Sequence, residues 1–153
     1  MILSLIITII LICLPALTGY LTAMFCKVGS DSGSNVSFRP PPIVFSIVWP
    51  ILYLFLGISW VLARNYNRYI ADIAYIIIIL LLNMWIYVYS CQKDKKSAIS
   101  VIALSFIATL LTCIFLGTFL SKLLILPLVL WLFFATILNI FEVTNKQLEL
   151  NNL

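Results

Sequence analysis

The stretch F-R-P-P-P-I-V-F-S-I-V-W-P-I-L-Y-L-F-L-G, Phe38 to Gly57, decides how this chain folds. Its three consecutive prolines, residues 40–42, cannot lie inside a helix, because proline lacks the backbone N–H and its ring clashes with the preceding turn. Proline is favoured at the first helical position. The stretch therefore predicts a stiff loop that ends where a long apolar helix begins, at Pro42.

One face of that helix carries five apolar residues at three- and four-residue spacing: Phe45, Val48, Trp49, Leu52 and Leu56. Gly57 follows them, and a glycine at that point lets a neighbouring helix approach closely. We expect this face to point into a bundle of helices, with Gly57 as a packing site.

The composition predicts that the chain lies in lipid. It has 153 residues, of which 64% are hydrophobic and 9% charged, whereas a soluble domain carries about 25% charged residues. A spanning helix takes about 20 residues, so five of them use nearly the whole chain. Strands are excluded, because long apolar runs in lipid cannot leave backbone groups unpaired. The expected fold is all-α: a single domain, 1–153, that forms an integral membrane bundle of five transmembrane helices.

The apolar runs place these helices at about 2–25, 42–63, 69–90, 97–120 and 122–143. The longest connection, residues 27–41, is rich in Gly, Ser, Asp and Asn, which is typical of a loop, and we hypothesise that it is a lid over a cavity. A signal peptide is the alternative interpretation of the first run. The run is longer than the apolar core of a signal peptide, and no basic residue precedes Lys27, so we expect this helix to be retained. Gly19 and Ala23 within it form a small-residue packing pair.

The basic residues predict the orientation. Six of them lie on the side of loop 27–41 and the C-terminus, and three on the other side, so the positive-inside rule places that loop and the C-terminus in the cytosol. Because they are scattered singly at helix ends, the lipid bilayer is the expected partner and nucleic acid is not.

Few residues are suited to chemistry. There is no histidine, which removes the commonest metal ligand and general base. We find no nucleophile beside a base, and therefore expect no catalytic residues, no metal and no cofactor. The four cysteines have no CxxC spacing and are expected to be reduced, packed thiols. Glu142, near the end of the fifth helix, is expected to be an interfacial carboxylate.

The stretch quoted above resembles the signature of the translocator protein family, also called tryptophan-rich sensory proteins or peripheral-type benzodiazepine receptors. That signature is an aromatic residue, one further residue, Pro-Pro, and then F-x-x-V-W-x-x-L-Y-x-x-M-G. Here Phe38 stands for the usual Trp and Leu56 for the Met, while the other positions are in register. A second match, Leu126 to Asn139, fits L-P-Y-x-x-W-x-x-x-A-x-x-L-N with Leu128 in place of the Tyr. A third, partial match is Leu82-Asn83, with a Trp at position 85.

The resemblance implies a ligand cavity within the bundle. From the residues alone, Trp49 and Trp131 fit a lipid-interface anchor or packing as well as a cavity wall, and Asn83 fits an interhelical hydrogen bond worth about 0.6–2 kcal/mol. With the resemblance, the expected ligand-binding residues are Phe38, Phe45, Val48, Trp49, Leu52, Asn83, Trp131, Ala135 and Leu138. The expected helix-packing residues are Gly19, Ala23 and Gly57.

The function expected is that of a membrane receptor or carrier for flat hydrophobic ligands. Apolar pockets with few polar groups suit such molecules, and the resemblance implies a porphyrin or other tetrapyrrole. A sterol ranks lower, because no Tyr follows Leu138 where the family's sterol-recognition patch needs one. The alternatives are a non-binding scaffold that acts through helix packing and a weak, light-dependent porphyrin-degrading enzyme. The family also implies a homodimer and the mitochondrial outer membrane or another internal membrane.

Overall fold

The computed structural model describes the backbone of residues 2–27 and 33–151, and the side chains of these residues up to position 148. Five α-helices follow one another: α1 (Ile2–Cys26), α2 (Pro42–Ala63), α3 (Arg68–Ile86), α4 (Lys95–Phe115) and α5 (Phe119–Asn151). A π-helical turn, Tyr87–Cys91, extends α3. Residues 28–32 of the expected lid lie outside the described residues, and residues 27 and 33–41 are its described part.

All five helices are long and apolar enough to cross a membrane. Large apolar side chains cover their outer surfaces; Leu80 is 63% exposed and Leu130 is 62% exposed. In lipid such exposure carries no hydrophobic penalty, whereas a soluble monomer rarely shows such extensive apolar patches. The expectation of an all-α membrane bundle of five transmembrane helices is confirmed.

The helices pack in a ring whose order differs from their order in the chain. Within the described residues, α1 packs on α2, α2 on α5, α5 on α4, α4 on α3, and α3 on α1, which closes the ring. In addition α2 contacts α3. Because α2 touches both α3 and α5, its side chains can meet those of both helices in the interior.

The helix starts follow local signals in the sequence. Pro42 is the first residue of α2, and Pro41 before it is extended, with φ −55° and ψ 149°. Asn67 caps α3 by accepting a hydrogen bond from the N–H of Ile70. Asp94 caps α4 in the same way, which satisfies a helix-terminal N–H that has no partner in the helix.

Two helix ends differ from the expected bounds. α4 ends at Phe115 rather than near residue 120, because Leu116 is extended and Gly117 has φ +91°, a left-handed conformation suited to glycine. α5 continues past residue 143 to Asn151. Its polar C-terminal part contains Lys, Gln, Leu and Glu, which favour a helix as well as apolar residues do.

The glycines of α1 and α2 bring these two helices together within the chain. A Cβ atom on Gly57 would lie 2.2 Å from the carbonyl oxygen of Ile12, and one on Gly19 would lie 2.6 Å from the ring of Tyr53. Ala23, the partner of Gly19 in the small-residue pair, is half-buried. Both glycines are thus used in packing α1 on α2.

The ends of α1 and of the π-helical turn are joined by a disulfide between Cys26 and Cys91. The expectation that all four cysteines are reduced thiols is therefore wrong for this pair. Only Cys13 and Cys113 are free. The two bonded cysteines are 65 residues apart in the sequence, and only the packing of α1 against α3 brings them together.

Candidate functional site

Three tryptophans from three different helices meet in the interior of the bundle. The ring of Trp49 on α2 is 5.7 Å from that of Trp85 on α3 and 6.3 Å from that of Trp131 on α5, measured between centroids. The first pair is stacked, at 29°, and the second is edge-to-face, at 89°. Both are favourable aromatic geometries.

Two further rings of α2 join them. Tyr53, one helical turn after Trp49, lies 5.5 Å from its ring, and Phe45 lies 5.6 Å from the ring of Trp131. We call Phe45, Trp49, Tyr53, Trp85 and Trp131 the aromatic cluster. Its three α2 members recur every four residues, so they share one helical face.

Several polar atoms beside these rings are buried without a hydrogen bond to any described residue. They include Nε1 of Trp85, Nε1 of Trp131 and, about two turns further along α5, Oδ1 of Asn139. A buried polar group that is left unsatisfied costs about 1–3 kcal/mol. The cluster thus combines flat apolar walls with two N–H donors that a bound molecule could satisfy.

Residues 33–41 lie against α5 at one end of the bundle. The ring of Phe38 makes edge contacts with Phe134, at 6.4 Å, and with Phe141, at 5.2 Å. The guanidinium of Arg39 lies 5.4 Å above the ring of Phe45, within cation–π range. The loop therefore touches the aromatic cluster directly, through Phe45.

A buried carboxylate, Glu142 on α5, holds this loop in place. It forms an ion pair with Lys95 at the start of α4. It also accepts hydrogen bonds from the hydroxyl of Tyr89, at 2.6 Å, and from the backbone N–H of Gly33, at 2.8 Å. Only 5% of its side chain is exposed, because the loop and the π-helical turn cover it. That Glu142 lies at the membrane interface stays a prediction.

Backbone contacts strengthen the same junction. The side-chain amide of Asn35 donates to the carbonyl oxygen of Glu142, at 3.0 Å, and that of Asn145 donates to the carbonyl oxygen of Asn35, at 2.9 Å. Val36 between them is buried, with 4% exposed. We call the contacts of residues 33–36 with Glu142 and Asn145 the loop anchor.

The sequence-predicted site residues divide into three groups. Phe45, Trp49 and Trp131 belong to the aromatic cluster, and Phe38 covers α5 from the loop. Val48, Leu52 and Ala135 pack in the same apolar core as the rings, and Leu138 is buried further along α5. That these residues bind a ligand stays a prediction.

Asn83 forms the third group, because its side chain faces α1. It accepts a hydrogen bond from the hydroxyl of Thr22, at 2.7 Å, and donates to Thr18 and to the carbonyl oxygen of Ile79, at 3.2 and 2.7 Å. All three bonds hold α3 to α1 or to its own preceding turn. The interhelical hydrogen bond considered for Asn83 is what the structure shows, and its role toward a ligand stays a prediction.

Two important residues were not among those selected from the sequence. Trp85 appears in the sequence only beside the third, partial match and is not among the expected ligand-binding residues, yet its ring stacks on that of Trp49. Glu142 was visible as a lone carboxylate in an apolar run, which is a functional signal in a membrane helix. Among the described residues, no three His, Cys, Asp or Glu side chains stand close enough to hold a metal ion.

Comparison with known proteins agrees with the motifs. The model of the TspO/MBR family matches residues 6–142, which is most of the chain and includes all three matched stretches. The resemblance to the translocator protein family is thereby confirmed. No curated protein matches the chain.

Proposed function

Because the chain belongs to the TspO/MBR family, we propose that it is a membrane receptor or carrier that binds flat hydrophobic ligands of the porphyrin type against the aromatic cluster. The observation that carries this proposal is the meeting of Trp49, Trp85 and Trp131 from three helices, with two of their N–H groups buried and unpaired. Indole faces stack on planar conjugated rings. Carboxylate or carbonyl oxygens on the rim of such a ligand would accept the two N–H bonds.

The geometry also ranks the ligand classes. A sterol offers an aliphatic surface and one hydroxyl, so it gains dispersion contacts but no ring stacking from the cluster. A tetrapyrrole gains both and can also accept hydrogen bonds. We therefore place porphyrin-like ligands above sterols.

Binding needs a separation of rings, because Trp49 and Trp131 contact each other in the structure. Residues 33–41 lie at the end of the bundle where Phe45 meets Arg39. Releasing the loop anchor would free this end of α2 and α5 and let a planar molecule enter. In this proposal the loop acts as a lid, and Glu142 holds it closed.

The direct test is a titration of purified protein with protoporphyrin, followed by the Soret absorbance of the pigment. Trp131→Phe removes one N–H donor and part of one wall, and is expected to weaken binding about tenfold. Trp60→Phe is the matched control: Trp60 is buried, stacks on Tyr75 and donates to Asp72, outside the aromatic cluster. Equal affinities of the wild type and Trp131→Phe would refute the site.

The alternatives are separated by the same preparation. A non-binding scaffold would show no saturable change in the Soret band; the inward packing of Gly19 and Gly57 already leaves less small-residue surface for other proteins or for a homodimer. A porphyrin-degrading enzyme would bleach the bound pigment in light faster than free pigment loses its colour. A receptor or carrier leaves that rate unchanged.

We further propose the orientation that the charge distribution indicates, with the loop and the C-terminus in the cytosol. The Cys26–Cys91 disulfide lies at this same end, and disulfides persist mainly in oxidising compartments. A cysteine introduced at exposed Lys96 decides between these indications when it is treated with a membrane-impermeant maleimide. Labelling only from the cytosolic side supports the proposal, and labelling only from the opposite side reverses it.

A further inference from the structure

A polar cleft lies between helix ends on the side of the bundle opposite the loop anchor. It has a volume of about 290 Å³ and is bounded by the first turns of α1, the end of α2 and the start of α3. Its polar lining comes from Ser4, Thr8, Arg64, Asn65 and Arg68. The apolar side chains of Ile7 and Val61 complete it.

The charges in and around this cleft do not balance. Nε of Arg64 lies 2.9 Å from Oδ1 of Asp72, close enough for an ion pair, although the N–H is not aligned for a hydrogen bond. The same carboxylate oxygen accepts a hydrogen bond from Nε1 of Trp60, at 2.8 Å. Arg68 is exposed and forms no ion pair with a described residue. Two guanidinium groups against one carboxylate leave one positive charge.

The hydrogen-bond donors that the cleft can offer a ligand are mainly guanidinium and amide N–H groups. The hydroxyl of Thr8 already donates to the carbonyl oxygen of Ser4, at 2.9 Å. The guanidinium groups of Arg64 and Arg68 and the side-chain amide of Asn65 remain as donors. A guanidinium presents N–H groups in a planar fork that fits two oxygens of one phosphate. The cleft therefore favours a tetrahedral oxyanion.

We propose that this cleft binds the phosphate of an anionic phospholipid headgroup. Its position at the ends of three membrane-spanning helices corresponds to the depth of the lipid headgroups. Next to it, the outer surface of α1 exposes Leu3 and Ile6, which are 70% and 47% accessible, as a track for an acyl chain. The guanidinium groups would attract the anionic headgroup, and the apolar side chains beside them would bury part of its acyl chain.

The lipid source is favoured over free phosphate by the apolar part of the cleft. An inorganic ion would bury no apolar surface of Ile7 and Val61, whereas the glycerol and upper acyl chain of a lipid would cover these side chains. The remaining positive charge favours an anionic headgroup over phosphatidylcholine, whose own ammonium group balances its phosphate.

The test measures how much lipid stays bound to the full-length protein. Protein in detergent is incubated with phosphatidylglycerol or phosphatidylcholine, and retained lipid is counted by native mass spectrometry. Arg68→Gln is expected to reduce retention of phosphatidylglycerol about tenfold, the loss typical of a charge-assisted pair. Lys146→Gln, which removes an exposed positive charge from the C-terminal part of α5, is the matched control and is expected to change nothing.

A second variant keeps the test informative if Arg68→Gln fails to fold, as judged by helical circular dichroism. Asn65→Asp keeps the shape of an exposed side chain and places a carboxylate on the cleft, and is expected to abolish the preference for phosphatidylglycerol. Equal losses in Arg68→Gln and Lys146→Gln would overturn the proposal. So would displacement of the lipid by inorganic phosphate at equal concentration, because the site would then be one for a soluble anion.

Discussion

Replacing Glu142 with Gln should open the loop without unfolding the bundle. Glu142 accepts hydrogen bonds from Tyr89 and from the backbone N–H of Gly33, and pairs with Lys95. The variant keeps the size and one acceptor oxygen. It removes the negative charge and turns the other oxygen into a donor.

The magnitude follows from these contacts. Hydrogen bonds to a charged group contribute about 1.5–3 kcal/mol and neutral ones about 0.5–1.5 kcal/mol, so two bonds that lose their charge assistance lose about 2 kcal/mol in total. The pair with Lys95 adds little, because 33% of that side chain is exposed and solvent screens the charge. A change of about 2 kcal/mol raises the open population about 30-fold.

The assay is hydrogen exchange of the loop amides, read by mass spectrometry on the protein in detergent. The N–H groups of Gly33, Val36 and Arg39 are each hydrogen-bonded in the closed loop, so their exchange should accelerate about 30-fold in the variant. Asp94→Asn is the control. It removes a carboxylate from the same end of the bundle, yet asparagine caps a helix as well as aspartate does.

One result would refute this reasoning. If Glu142→Gln lowers the thermal stability of the whole protein while the exchange of residues 33–39 is unaltered, the carboxylate serves only to join α4 to α5. The proposed lid would then have to be held by Phe38 instead.

Three further predictions concern packing, covalent linkage and pH. Gly57→Ala should lower the free energy of unfolding by about 1–3 kcal/mol, because the new Cβ would lie 2.2 Å from the carbonyl oxygen of Ile12 and push α1 away. Cys91→Ser should cost about 2–4 kcal/mol of stability under oxidising conditions, since it removes the link to Cys26, 65 residues away. Hydrogen bonds from the side chain and the backbone N–H of Ser97 hold the pKa of Asp94 below its ordinary value. This cap therefore stabilises α4 fully when the pH is above about 4, the pKa of Asp94 in the unfolded chain. The stabilisation is lost as the pH falls through the lower pKa of the folded state. Faster amide exchange in the first turn of α4 at acid pH would show this loss.

Each of these has a matched comparison. Gly19→Ala introduces a Cβ against the ring of Tyr53 rather than against a backbone oxygen, and should cost less than Gly57→Ala because a side chain can move. Cys113→Ser removes a free thiol and should respond to oxidation as the wild type does. A wild-type melting temperature that dithiothreitol leaves unchanged would contradict the role given to the disulfide. For Asp94, the amide exchange rates in the first turn of α4 are compared between neutral and acid pH. If they change only as those of an unstructured peptide do, the proposed pH dependence of the cap is contradicted.

Trp85 and Glu142 show why the candidate site was only partly predictable from the sequence. The register of Trp49 and Trp131 in their motifs singled them out, and their rings do lie together, 6.3 Å apart. Trp85 is absent from those motifs, and its stacking depends on how far α3 is rotated toward α2. Glu142 was placed near the right helix end, but its burial depends on a loop that the sequence shows only as polar.

By itself the sequence determined the class of the protein, its five spanning helices, the start of α2 at the prolines and the family. These depend on local properties, namely hydropathy over about 20 residues and the missing N–H of proline, which act wherever the segment lies. The tertiary structure alone decided the ring order of the helices, the Cys26–Cys91 bond, the loop anchor and the Arg64–Arg68 cleft. Each of these joins residues far apart in the chain, and such contacts depend on the relative rotation and height of whole helices, which no short segment encodes.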